Sequence, residues 1–169
     1  MPDALHECLL SLGSNIEPRR HITLATTILE AECRVLAAAT VIETTPVGYR
    51  AQPNFLNGAL LLYTSLDYPA FRRYLKGIES RLGRRRGPIK SGPRTIDLDI
   101  VLWDRRLVDG NAWRQAYVRG PALEALERAG IRLPSPPMDS CLGQTDENAA
   151  EMQKKDWLPE QDSNLRPND

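Results

Sequence analysis

The sequence predicts an α+β fold, an antiparallel sheet with two helices on one face, followed by an irregular C-terminal tail. Three observations carry this expectation. Short apolar runs bounded by Gly, Pro and Asn read as strands. Two longer stretches repeat their apolar residues at helical spacing. The two kinds alternate in the order βαββαβ as far as Asp104.

The first strand is "ALHECLLSLGSN", in which Leu10 and Leu12 keep a period of two and Gly13 permits a turn or a close backbone approach. "EPRRHITLATTILEAE" reads as a helix, with Pro18 in its first turn and Ile22, Ala25 and Leu29 on one side. "RVLAAATVIETTP" is expected as a second strand, ended by Pro46, and "NFLNGALLLYTS" as a third. The intervening "TTPVGYRAQP", with two prolines and a glycine, is a loop. The second helix is "LDYPAFRRYLKGIESRLG". Asp67 is its expected N-cap, Phe71, Tyr74, Leu75, Ile78 and Leu82 form its apolar face, and Gly83 ends it. A basic loop, "RRRGPIKSGPR", leads into the last strand, "TIDLDIVLWD". The βαββαβ order is the ferredoxin-like arrangement. After Asp104 a helical patch surrounds Leu123, Leu126 and Arg128, and residues 134–169 are polar, Pro-rich and aperiodic. The expected division is a domain over 1–110, a partly helical extension over 111–133 and a disordered tail over 134–169.

Bulk composition narrows the function. Lys+Arg and Asp+Glu number 22 each, so the chain lacks the basic excess of a nucleic-acid-binding protein. No run of about 18 apolar residues exists to span a membrane. The N-terminal "MPDALHECLL" has no basic region of the secretory kind. Cys8, Cys33 and Cys141 are odd in number and far apart, so the expected compartment is the reducing cytoplasm.

Charge is concentrated in one place. Asp97 and Asp99 occupy alternate strand positions and share a face, with Ile96, Leu98 and Ile100 on the other. Two close carboxylates repel unless a cation lies near, and a hard divalent metal is the simplest such cation. A D-x-D on its own is better explained as the solvated face of an edge strand. The neighbouring sequence tips the balance: Arg84, Arg86, Lys90 and Arg94 lie in the loop that feeds this strand, and Glu79 is the only acid between residues 72 and 94. Carboxylate-bound Mg²⁺ beside arginines suits polyphosphate chemistry. No glycine-rich phosphate loop of either common type is present, so side chains and metal must hold any nucleotide.

"GPRTIDLDIV" resembles the signature of the 6-hydroxymethyl-7,8-dihydropterin pyrophosphokinases of folate biosynthesis. "SLGSN", "TTPVG", "QPNFLN" and "IESRLGRRR" follow the family's order, and the resemblance covers roughly the first 105 residues. It implies transfer of diphosphate from ATP to the hydroxymethyl group of the pterin, release of AMP, and two Mg²⁺ ions. By resemblance, Asp97 and Asp99 hold the metal, and Arg84 and Arg94 contact the moving phosphates. Glu79, Arg86, Lys90 and Ile100 complete the ATP site. Gly13, Thr44, Val47, Phe55 and Asn57 form the pterin site, with Asn57 reading the pterin edge and Phe55 stacking on the ring. Core packing explains Phe55, and a turn Gly13, without the resemblance. The implied partners are these two small molecules, with no nucleic acid and no membrane, and the chain is expected to be a monomer.

Lys90 and Ser91 stand where many members carry Arg and Trp. Beyond Asp104 the family's Val-Pro-His-Pro and Arg-x-Phe-Val segments have no counterpart, and the final "DSNLRPND" looks like a translated tRNA gene. The expectation is therefore a changed reading frame near Gly110, lost cover over the sheet and reduced turnover. Trp113 and Tyr117 are the aromatics standing in that region. The alternatives are an inactive remnant and an RNA-binding ferredoxin-like module.

Overall fold

The structure, a computed structural model, describes residues 4–133. The elements run β1 (His6–Ser14), α1 (Pro18–Glu32), β2 (Arg34–Ala38), β3 (Ile42–Thr44), β4 (Phe55–Thr64), α2 (Tyr68–Arg81), β5 (Asp97–Trp103), β6 (Arg106–Leu107), α3 (Gly110–Arg114) and α4 (Ala116–Arg128). The strand order is β2-β4-β1-β5-β6, with β3 also paired to β4 and every pairing antiparallel. The central four strands have the ferredoxin-like order. Among the described residues no helix is long and apolar enough to cross a membrane. The expected tail over 134–169 and Cys141 lie outside the described residues.

The helices follow local chemistry. Asp67 caps α2 by accepting a hydrogen bond from the Ala70 N–H, and Pro69 sits in the first turn, where its missing N–H costs nothing. Tyr68, Phe71, Leu75 and Ile78 recur at three- and four-residue spacing and are buried. The α1 face of Ile22, Ala25 and Leu29 meets them over Cys8, Leu10 and Leu12 of β1, Leu60 and Leu62 of β4, and Leu98 and Ile100 of β5.

Three expectations need correction. The single second strand is two, β2 and β3, separated by Ala39–Val41. A sixth strand exists because Asp104 and Arg105, both with positive φ (49° and 65°), close a two-residue hairpin to β6. And the sheet is not left bare after Asp104. Trp113 of α3 and Val118, Ala122, Ala125 and Leu126 of α4 pack on Leu9, Ala59, Leu61, Val101 and Leu102. Trp113 is only 1% exposed. The physical reason lies in the strands. β1, β4 and β5 are apolar on both faces, as in Leu60-Leu61-Leu62, and such strands require cover on both sides.

Candidate active site

The second face of the sheet changes character along its length. At one end it carries the apolar residues beneath α4. At the other, Asn57 of β4 lies opposite Gly13 of β1, which lies opposite Asp97 of β5. Directly paired residues share a face, so an amide and a carboxylate flank a position without a side chain. A Cβ on Gly13 would stand 3.2 Å from Asn57 Oδ1, tighter than ordinary contact. Ser11 and Asp99 form the next row on the same face.

Asp97 is held by two arginines. Arg84 donates to its Oδ1 at 2.5 Å and Arg94 to its Oδ2 at 2.9 Å, and no side chain of the three is more than 20% exposed. Burial alone would raise the Asp97 pKa, but Arg84 and Arg94 override it and hold the carboxyl at about 2. For Asp99 desolvation and then repulsion from Asp97 push the carboxyl up to about 7. Asp99 opens on solvent, and its side-chain hydrogen bond is to the Asp97 carboxyl. A cation arriving from that side would relieve the repulsion.

Arg94 ties several parts together. Its guanidinium also donates to the carbonyls of Gly92 and Lys90 and lies 5.7 Å from the centre of the Phe55 ring. Its backbone exchanges hydrogen bonds with Asn15, whose amide donates to Gln52 Oε1 and to the Pro53 carbonyl. Gln52 in turn donates to the carbonyls of Tyr49 and Ser91, and Ser91 Oγ accepts from the Tyr49 N–H. The loop around Gly48 and the arginine loop are thereby joined.

The expected ATP-side residues are not all alike. Arg84, Arg86, Lys90 and Arg94 line a small cleft. Arg86 and Lys90 are exposed. Glu79 is 3% exposed, accepts the Leu98 N–H at 2.8 Å and pairs with Lys76 and Arg84. Ile100 packs in the first core, on the face opposite Asp97 and Asp99. On the pterin side Asn57 is buried and donates to Thr44 Oγ1, Phe55 is half-buried, and Val47 is 56% exposed. The sequence assigned no role to Asn15, Gln52 or Ser91, whose placement depends on long-range pairing, nor to Lys76, which α2 sets one turn before Glu79. Trp113 is buried in the second core, whereas half-buried Tyr117 packs against that core and feels the charges of the site. Burial raises the Tyr117 phenol, Arg94 opposes this, and Asp97 and Asp99 reinforce it.

The donor set fits a hard cation. Among the described residues no group of three or more His, Cys, Asp or Glu converges on one point. Two carboxylates completed by water and phosphate oxygens suit Mg²⁺, which keeps waters and binds through few protein ligands.

A family model described as 7,8-dihydro-6-hydroxymethylpterin-pyrophosphokinase matches residues 9–138. The match runs past Asp104, beyond the roughly 105 residues that carry the resemblance in sequence. The chain is 39% identical over 103 residues to a 2-amino-4-hydroxy-6-hydroxymethyldihydropteridine pyrophosphokinase of Bacillus subtilis, covering 59% of this chain and 61% of that one. It is likewise 39% identical over 103 residues to one of Pseudomonas aeruginosa, covering 59% and 63%. A Campylobacter jejuni enzyme of the same name is 28% identical over 129 residues, covering 75% and 78%. The chain thus spans about three fifths of the length of the first two curated relatives.

Proposed function

We propose, from the premise that this chain belongs to the 7,8-dihydro-6-hydroxymethylpterin-pyrophosphokinase family, that it transfers diphosphate from ATP to 6-hydroxymethyl-7,8-dihydropterin and releases AMP. The observation that carries this reading is the Asn57–Gly13–Asp97 row. It sets an amide suited to a heterocycle edge beside an acid pair suited to a metal, with room for a substrate between them.

The hydroxymethyl oxygen bonds to the β-phosphorus of ATP and gives up its proton to water. The bond from that phosphorus to the α,β-bridging oxygen breaks, and AMP departs. Asp97 and Asp99 would hold two Mg²⁺ ions, which would neutralise phosphate charge. Arg84 and Arg94 turn from Asp97 to the moving phosphates and stabilise charge that grows during transfer. Arg86 and Lys90 add positive charge at the entrance of the cleft. Glu79 and Ile100 support the ATP side from behind β5. Asn57 reads the pterin edge, Thr44 fixes its amide, Phe55 offers a ring face, Val47 borders the loop, and Gly13 keeps the gap open. Both partners are small molecules, with neither nucleic acid nor membrane required, and the enzyme works as a cytoplasmic monomer.

The test is AMP release by the purified chain with ATP, Mg²⁺ and the hydroxymethyl-dihydropterin. AMP formation that requires all three supports the reading. Absence of AMP at saturating substrates, from protein that melts cooperatively, refutes it.

A further inference from the structure

We propose that Lys76 is a positioning residue that acts as the standby counter-ion of Glu79 and so frees Arg84 for phosphate. The inference rests on the function proposed above and adds a residue to which that function assigned no role.

Charge accounting leads to it. Three carboxylates at the start of β5, Glu79, Asp97 and Asp99, feel one another's charge and are balanced by Arg84, Arg94 and Lys76. Arg84 is shared, because one of its terminal nitrogens lies 2.5 Å from Asp97 Oδ1 and 3.5 Å from Glu79 Oε1. When Arg84 turns to a phosphate, Asp97 gains metal in exchange. Glu79 gains nothing, since its side chain is 4% exposed and faces the free edge of β5 rather than the acid pair. A buried carboxylate stripped of its cation is strongly destabilising. Arg84 would therefore be held back by Glu79 unless a second cation stayed behind.

Lys76 meets that need. It lies one helical turn before Glu79 on α2, with Nζ 3.3 Å from the same Oε1, and its side chain is 36% exposed. Its ammonium is thus anchored at one end and open to water at the other. Burial raises the Glu79 pKa and Lys76 is the largest opposing influence, ahead of Arg84. Lys76 also acts on Asp97 and Asp99, so its charge is felt across the site. An ordinary surface pair of this spacing has one solvated partner for each charge and contributes little. Here one partner is buried and shared with an arginine that must move.

The experiment measures binding of Mg²⁺ with a non-hydrolysable ATP analogue to the full chain by calorimetry, alongside thermal unfolding. Lys76→Met should weaken binding about tenfold, the scale of one poorly compensated charge. Lys76→Arg should stay within about threefold of the wild type, because the charge is kept. Should Lys76→Met not fold, Lys76→Gln serves the same comparison. Unchanged affinity in the charge-removing variant overturns the inference. So does an equally large loss in Lys76→Arg, which would mean that the charge of Lys76 is not what matters. If the wild-type chain does not bind the analogue, the functional reading fails and this inference with it. Binding by wild type with an indifferent Lys76→Met defeats this inference alone.

Discussion

The two ends of β5 each carry an aspartate among basic side chains, yet the two acids are held in different ways. At the far end Asp104 accepts the Glu7 N–H at 2.9 Å and meets His6 Nδ1 at 2.8 Å, while Arg105 pairs with Glu7. One partner there is backbone, fixed by the β1–β5 pairing, and the contact stabilises a turn of two positive φ values. At the near end Asp97 is held by the side chains of Arg84 and Arg94. Long guanidinium stems can swing to another anion at little backbone cost, whereas an amide in a sheet cannot. An aspartate is therefore structural at one end and exchangeable at the other.

The largest test of this contrast is Asp97→Asn. It should cut kcat for AMP release about a thousandfold, the scale of losing a preorganised charge at a phosphoryl site. Near-normal turnover in a folded Asp97→Asn protein would erase the distinction between the ends. Next, Gly13→Ala brings a methyl against Asn57 Oδ1 in the row that holds Asp97. It should raise KM for the pterin about tenfold while leaving KM for ATP alone, a difference of about 1.4 kcal/mol. If both constants rise together, the row is not divided between two substrates. Asp104→Ala should do the reverse. It should lower stability by about 1 kcal/mol through loss of the turn contacts and leave kcat unchanged, as read by denaturant unfolding and the AMP assay.

The smallest effect is in pH. Asp99 rises from its ordinary 3.8 to about 7 on folding, so the metal-free fold binds that proton more tightly than the unfolded chain does. Its contribution is complete below about pH 4 and fades as pH climbs through 7. Asp97, lowered to about 2, contributes above about pH 4 and loses that contribution as pH falls through 2. Melting curves without metal should therefore decline from pH 5 to pH 8, and Mg²⁺ should raise Tm more at pH 8 than at pH 6. A Tm that rises between pH 5 and pH 8 without metal would contradict the crowding of Asp99 by Asp97.

The legible parts of the molecule were those fixed by neighbours in sequence. The Asp67 cap and the Phe71–Leu75–Ile78 stripe define α2 without help from the rest of the chain. The D-x-D alternation put Asp97 and Asp99 on one face for the same reason. The row from Asn57 through Gly13 to Asp97 was not legible as geometry, because three strands far apart in sequence must pair in one register to make it. The second core was legible in part. Leu60-Leu61-Leu62 is apolar on both faces and asks for two covers, but the weak helical pattern around Leu123 and Leu126 did not announce which segment would supply the second. Leu123, one of the residues that suggested that helix, turned out to be 47% exposed. The hairpin at Asp104–Arg105 lacks the glycine that usually marks such a turn, and is held by side-chain contacts no local pattern reveals.

Glu79 has one more consequence, for behaviour in solution. β5 pairs with β6 only through Leu102 and Trp103, so its first residues form an open border of the sheet. An unpaired N–H on such a border invites a strand from another molecule, the first step toward aggregation. The Glu79 carboxylate occupies the Leu98 N–H and adds charge where an intruding strand would have to lie. The side chain at the rear of the site thus also serves as a guard against self-association.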